Sequence, residues 1–387
     1  MKIDKRRPSH WLQLLAFAAQ AVLGLLLRAV ISKSAVVLYG HKLNGNLLAI
    51  YKECPNAVFL SMDFPYCREL QAQGIRCQWA CVFGAALLLA RTQAIISDHG
   101  LHSLEVLLPA YRRGGLKCFD VWHGIPFKGF DADDFHLQHQ YDETWVASPL
   151  HRDLYIERYG FTPKQVAVTG YARTDDLVHP QQSLPDIRER LGLPRQGTLI
   201  LFAPTWAQDT RGRSLFPFGH SEAEFLTALS EFAQKHQASV LLRTHLNSGT
   251  RAIQGYPNIL SMPSSLFPDA ESILQVSDML ICDWSSIAFD YLLLNRPALF
   301  LDVPPPFRKG FSLGPEYRFG PVVGSLSELL EQLEKALETS QEYWCEHAER
   351  HQSIRQTIYG DWADGSATQR CLQRLNAHLD PIGEFSQ

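Results

Sequence analysis

One rhythm constrains this chain more than any other feature: short apolar runs, each closed by a polar or glycine-containing turn, alternate with segments of helical spacing. SAVVLYG (34–40), NAVFLSM (56–62), QAIISD (93–98), LKCFDVW (116–122), ETWVAS (143–148) and QVAVTG (165–170) read as buried strands. CVFGAALLLA (81–90) and SPLHRDLYIERYG (148–160) between them carry helical spacing. Strands alternating with helices predict a parallel sheet covered by helices on both faces. The stretch 176–197, rich in proline and charge, interrupts the rhythm as a linker would. It then restarts with TLILFAP (198–204), ASVLLRTH (238–245), DMLICDW (278–284) and PALFLDV (297–303).

The expected architecture is therefore α/β, with two Rossmann-type doubly wound domains facing a cleft. Its expected parts are an N-terminal segment 1–33, a first domain 34–190, a second domain 191–345 and C-terminal helices 346–387, candidates to pack back on the first domain. A length of 387 residues suits two such domains, and 46% hydrophobic and 20% charged residues suit globular cores. The net charge of −4 gives no support to a nucleic-acid surface. Eight cysteines are scattered; Cys77 and Cys81 are spaced like helix neighbours, and no second pair completes a zinc site. They read as reduced core thiols of a cytosolic protein.

The N-terminus departs from the rhythm. Lys2, Lys5, Arg6 and Arg7 precede WLQLLAFAAQAVLGLLLRAVI (11–31), whose clearly polar residues are Gln13, Gln20 and Arg28. The run is long enough to span a bilayer. Its narrow polar stripe also suits a helix lying in the interface, with the basic leader on anionic headgroups. A signal peptide and a buried helix are further readings, but Arg28 interrupts the first of these. A spanning helix would separate the basic leader from the following domain, so a monotopic anchor is the favoured expectation.

Open α/β sheets bind ligands beyond the carboxyl ends of their strands, so residues just after predicted strands are the site candidates. In the first half, LKCFDVW hands over to His123, Gly124 and Pro126, and VTGYARTDDL places Arg173 and Asp175 after Gly170. In the second half, LRTHLNS puts Arg243 and His245 at a strand end, and arginine's planar fork suits diphosphate oxygens. LFAPTW supplies Thr205. DMLICDWSSIAFDYLLL runs from a strand through Asp283, Ser285 and Ser286 into a helix carrying Asp290, an arrangement that can hold phosphate at a helix start.

Taken together these segments resemble the CDP-glycerol glycerophosphotransferases, builders of teichoic-acid-type polyol phosphate chains. WHGIPFK is similar to that family's WHGTPLK, and APTW stands in both. GYARTD resembles G-x-P-R-x-D, with Ala172 for proline, and RTH resembles R-x-H-P, with Leu246 for proline. SDMLICDWSSIAFDYLLLNRPALF resembles SDVLITDYSSVMFDYLLLDKPIIF, with Trp284 for tyrosine. GPVV (320–323) and DGSATQR (364–370) resemble the late PGPVV and DGxAxxR. The resemblance covers about residues 35 to 375, and the length is closer to the short priming enzymes than to the long polymerases.

The resemblance implies a GT-B-like fold. It implies transfer of glycerol phosphate from CDP-glycerol to a hydroxyl of a lipid-linked saccharide or polyol phosphate, releasing CMP, on the cytoplasmic face of the cell membrane. It makes His123 the general base and His245 its catalytic companion. Arg243, Ser285, Ser286, Asp290, Thr205 and Asp283 would bind the donor, and Lys128, Arg173 and Asp175 are further candidates. An arginine, histidines and a helix N-terminus supply positive charge, and no dense carboxylate cluster occurs, so neither a metal nor another cofactor is expected. A nucleotide-sugar glycosyltransferase, a CDP-ribitol-using relative and an idle membrane-bound scaffold are the competing readings. The acidic DADDF (131–135) beside the catalytic loop has no role in this scheme.

Overall fold

In the computed structural model, residues 7–205, 216–243 and 255–379 are described. The chain divides into two compact units. One comprises residues 1–123, 132–173 and 366–387; the other comprises 124–131 and 174–365. The expected boundaries near 190 and 345 fall inside the second unit, and its helix Ser340–Tyr359 runs across the latter.

The first unit is built on a sheet of seven strands: β1 (Ala35–Tyr39), β2 (Ala57–Ser61), β3 (Cys77–Trp79), β4 (Thr92–Ser97), β5 (Lys117–Asp120), β6 (Glu143–Val146) and β7 (Val166–Val168). All pairings are parallel, in the order β3-β2-β1-β4-β5-β6-β7. Its central strands are buried on both faces, which is why they read as continuous apolar runs. Alternate residues sort to opposite faces. Ala35, Val37 and Tyr39 join one core cluster, and Val36 and Leu38 join the other.

The N-terminal helix Pro8–Leu27 covers the first of these faces. Phe17, Ala21 and Gly24 are buried, and Phe17 stacks on Tyr39 at 6.1 Å. Gly24 is required because a Cβ there would lie 2.9 Å from the Ala86 carbonyl and 2.8 Å from the Tyr111 hydroxyl. Arg28, 5% exposed, donates to the carbonyls of Gly114, Leu89 and Thr92. The polar stripe of Gln13, Gln20 and Arg28 therefore faces the protein and not headgroups. The outward side carries Trp11, Leu12, Leu15, Val22 and Leu26 instead. Among the described residues this is the one helix long and apolar enough to cross a membrane. The opposite face of the sheet receives the helix Ala367–His378, through Cys371 and Leu375. Its Arg374 and His378 meet the buried Glu143 carboxylate of β6.

The second unit repeats the plan with six strands: β8 (Thr198–Ala203), β9 (Ala238–Leu242), β10 (Ile259–Ser261), β11 (Met279–Cys282), β12 (Ala298–Leu301) and β13 (Val322–Val323). They too are parallel, in the order β10-β9-β8-β11-β12-β13. Helix starts are fixed locally. Ser221 and Glu224 form a capping box, and Ser325 and Asp269 accept from backbone N–H groups three residues on. The stretch read as a linker contains the helices Asp175–Val178 and Leu184–Arg190. Cys77 opens β3 and Cys81 follows that strand, so the pair shares no helix. All eight cysteines are free, and Cys345 alone is exposed.

Candidate active site

Each sheet reverses its winding between two neighbouring strands: β1 and β4 in the first unit, β8 and β11 in the second. Ligand crevices of doubly wound sheets form beyond the carboxyl ends at that point.

In the first unit the residues leaving these ends are Gly40 and His41 after β1, Asp98 and His99 after β4, and Trp122 and His123 after β5. Strand β5 ends two residues earlier than the apolar run suggested, because Trp122 turns into the left-handed region at φ 41°. A tryptophan there is strained, and the neighbourhood holds it. Asn46, from the helix Gly45–Glu53, donates its side-chain amide to the Val121 and Trp122 carbonyls at 2.8 and 3.2 Å. Its own side-chain oxygen accepts from the Arg173 N–H at 3.1 Å. Asn46 thereby ties the His123 segment to the Arg173 segment. The Trp122 indole packs on His123 at 4.3 Å and on Phe135 at 4.9 Å.

His123 Nδ1 lies 3.3 Å from the Asp98 backbone carbonyl. A carbonyl only accepts, so Nδ1 carries the proton and Nε2 is the basic nitrogen. On its other face His123 meets His99, ring centroids 4.7 Å apart and planes within 10° of parallel. The His99 Nδ1 is 2.8 Å from Asp98 Oδ1. Burial would lower the His99 pKa, but the charge and hydrogen bond of Asp98 outweigh it and raise it. His41 lies 4.3 Å from His99; burial and then the His99 charge drive it down to about 2. His102 accepts or donates to Tyr39 at 2.7 Å and is lowered to about 4 by burial. Asp120 is fully buried, and burial and then the Asp98 charge raise it to about 8. Gly40 admits Asp98 to this group, since a Cβ would stand 2.4 Å from its Oδ1.

In the second unit the switch point is held by Asp283. Its Oδ1 accepts from the Thr205 N–H at 2.8 Å, from the Thr205 hydroxyl and from the Trp284 N–H at 2.6 Å. Ser285 and Ser286 follow, half-buried, with Ser286 at the N-cap of the helix Ile287–Leu292. The Ser286 side chain does not cap that helix, unlike Ser221 and Ser325 in theirs. Asp290 is buried within the same short helix. Arg243 leaves β9 and donates to the Phe267 carbonyl at 2.9 Å. Burial lowers its pKa while Glu271 and Asp269 raise it. His245 lies outside the described residues.

The chain enters the second unit immediately after His123. There Phe127 stacks on Phe289 at 4.5 Å, Lys128 pairs with Phe311, and the Gly129 N–H donates to Gly310 at 2.7 Å. Gly129 must be glycine, because a Cβ would stand 2.4 Å from the Lys309 carbonyl. The acidic stretch gains a partial explanation, as Asp131 pairs with Lys309 at 2.7 Å. Asp175 begins a short helix, and Arg173 lies over the Tyr171 ring at 5.0 Å.

Sequence reasoning missed His41, Asp98, His99 and His102 in the first unit and Arg318 in the second. Arg318 is 3% exposed and sits 3.5 Å above the Trp284 ring, beside Cys282, Asp283 and Asp302. The strands before His41 and Asp98 were legible, and the same look beyond their ends would have found both. Arg318 follows no strand, and only its isolation within EYRFGPVV could have marked it.

Two parallel sheets of seven and six strands, each with polar side chains gathered at its winding reversal, are those of a GT-B-like fold. The match with solved structures bears out that fold: the wall teichoic acid polymerase TagF superposes with a TM-score of 0.73 over 94% of this chain and 95% of that one, at 19% identity. A more distant match is HepE from Anabaena, solved with UDP-glucose, at a TM-score of 0.50 and 12% identity over 89% of this chain and 99% of the other. Residues 40–377 match the family model of CDP-glycerol:poly(glycerophosphate) glycerophosphotransferase, and the chain belongs to that family. Among curated relatives, the teichoic acid glycerol-phosphate transferase of Staphylococcus aureus is 26% identical over 68% of this chain and 72% of its own length. The ribitol-phosphate polymerase TarK of the same species is 27% identical over 67% of this chain; the match spans about half of that protein, 52%.

Proposed function

We propose that this enzyme transfers glycerol phosphate from CDP-glycerol to a hydroxyl of a lipid-linked saccharide or polyol phosphate, in teichoic-acid-like or capsular polymer synthesis. The acceptor oxygen attacks the β-phosphorus, the bridging P–O bond breaks, and CMP leaves with that oxygen. The acceptor proton passes to His123 Nε2. The observation that carries this reading is the hydrogen bond from His123 Nδ1 to the Asp98 carbonyl, which presents Nε2 as the base. The first unit then serves the acceptor. The second serves the donor, with Thr205, Arg243, Ser285, Ser286 and Arg318 around the diphosphate and Asp283 as the clamp that sets Thr205 and Trp284.

The test is CMP release by the purified protein with membrane lipid extract, comparing CDP-glycerol, CDP-ribitol and UDP-sugars. CMP from CDP-glycerol, falling about 10²- to 10⁴-fold in folded His123→Ala, supports the reading. This chain's likeness to the ribitol-phosphate polymerase TarK makes CDP-ribitol the second reading, and release from it alone would replace the donor.

The N-terminal helix supports attachment at the cytoplasmic face of the membrane as a monotopic anchor. Its outward Trp11, Leu12, Leu15 and Leu26, joined by Phe83 and Leu87 of the helix Phe83–Arg91 packed beside it, form an apolar face. Such a face suits a helix lying in the bilayer interface, and the carbonyl bonds of Arg28 resist its withdrawal to span. A nucleotide donor and eight free cysteines fit the cytoplasmic side. Leu15→Glu with Leu26→Glu should abolish sedimentation with anionic vesicles; undiminished sedimentation would reject this face.

A further inference from the structure

We propose that His236, Glu334 and Glu338 form a zinc site in the second unit, which clips two helix ends together at the sheet edge opposite the candidate active site. It supplies no step of the transfer and rests on no part of the proposed reaction.

The helices Glu222–Lys235 and Leu326–Glu338 pack on one core through Phe232, Ala233, Leu333 and Ala336. Their carboxyl ends meet. Each end leaves backbone carbonyls without helical partners, and both dipole ends favour a cation. Glu334 and Glu338, four residues apart, share one face at the end of the second helix. Their negative charges oppose its dipole, so a cation there answers two needs at once. His236 is the C-cap of the first helix, and β9 starts at Ala238, which puts the group at the amino edge of the sheet. The His236 ring packs on Phe232 at 4.4 Å, and this contact aims it at the two carboxylates.

The imidazole is the observation that points to a ligand. Its side chain is only 7% exposed, yet Nε2 is buried and makes no hydrogen bond. The nearest carboxylate oxygens are Glu334 Oε1, 3.7 Å from Nε2, and Glu338 Oε1, 3.2 Å from Nδ1. Among the described residues these three side chains are the one group able to share an ion, with one ligand atom from each within 4.8 Å of the others. Tetrahedral zinc, with bonds of about 2.0–2.1 Å, sets its ligands about 3.3 Å apart. The two glutamates are 43% and 58% exposed and can close that distance. One imidazole and two carboxylates suit zinc better than calcium or magnesium, which take oxygen ligands. Lys235 competes for the site, since its Nζ is 2.5 Å from Glu334 Oε1. The rival occupant is a second ring proton, giving an imidazolium between two carboxylates.

The experiment titrates the full chain, stripped with a chelator, with zinc chloride by calorimetry and follows its melting; magnesium chloride is the comparison. One zinc equivalent should bind at this site and raise the melting temperature. His236→Gln and Glu338→Gln should each weaken that binding about tenfold or more and lose the rise. Lys235→Gln should tighten it, because Glu334 loses its competing cation. Glu338 is more than half exposed, so its replacement leaves the core intact, as circular dichroism would verify. Equal zinc binding by the native chain and both ligand variants would put the ion elsewhere and overturn the inference. So would no zinc binding at all, the result expected of the imidazolium, or magnesium bound as tightly as zinc.

Discussion

The two units share a strand order and a winding reversal, yet their carboxyl edges are chemically unlike. The first gathers imidazoles and carboxylates: His41, His99, His102 and His123 with Asp98 and Asp120. The second, among its described residues, gathers guanidinium groups, hydroxyls and one accepting carboxylate: Arg243, Arg318, Thr205, Ser285, Ser286 and Asp283. Topology sets where a site forms, and the few residues after each strand set what it does. Imidazoles exchange protons near neutrality, whereas arginines and hydroxyls hold phosphate without titrating. The proposed division of labour would then be written in side-chain type, and perturbing each edge should yield a different kinetic signature.

Among variants that leave the proposed base in place, the largest effect is expected from Asp283→Ala. It strands the Thr205 N–H, the Thr205 hydroxyl and the Trp284 N–H, at a cost of about 2–4 kcal/mol. The donor KM should rise about tenfold or more, with the pH profile unmoved. A shifted acid limb in Asp283→Ala would break the comparison, because the second edge would then be handling protons as well. Next comes Gly40→Ala, whose Cβ would press on Asp98. Overpacking of this kind costs about 1–3 kcal/mol. Displacing Asp98, whose carbonyl meets His123 Nδ1, should lower kcat while the donor KM stays near native. Calorimetry and steady-state kinetics on the two variants separate the signatures.

Much of this was legible beforehand, for physical reasons that vary by element. Central strands such as β1, β8 and β11 are buried on both faces and announce themselves as unbroken apolar runs. The strands that escaped, β3, β10 and β13, are two or three residues long, all lie toward the sheet margins, and leave little periodicity to read. His123 was visible because a strand visibly ended beside it. His99 was hidden because its significance is a stacking contact between segments 24 residues apart, which no spacing rule encodes. Arg28 misled for a related reason: a charge in an apolar run looks like a headgroup contact until its buried carbonyl partners are seen.

The smallest effect, and the sharpest for the first edge, concerns pH and stability. His41, His102 and His151 have folded pKa values lowered to about 2, 4 and 3, chiefly by burial. Each favours the neutral form in the fold, so its contribution is present above the ordinary histidine pKa and is lost as pH falls from about 6.5 toward those values. Asp120 has the opposite sign. Burial and the Asp98 charge raise it to about 8, so the fold prefers it protonated, and stability is lost as pH rises from about 4 to about 8. Together these groups place the stability maximum of the first unit near pH 7. Asp120→Asn removes the alkaline loss alone. Its melting temperature relative to the native protein should be nearly unchanged at pH 4 and progressively higher toward pH 9. A gain of equal size at both pH values would mean that Asp120 is not a protonated carboxyl within this imidazole edge, and the contrast between the two edges would lose its acid–base half.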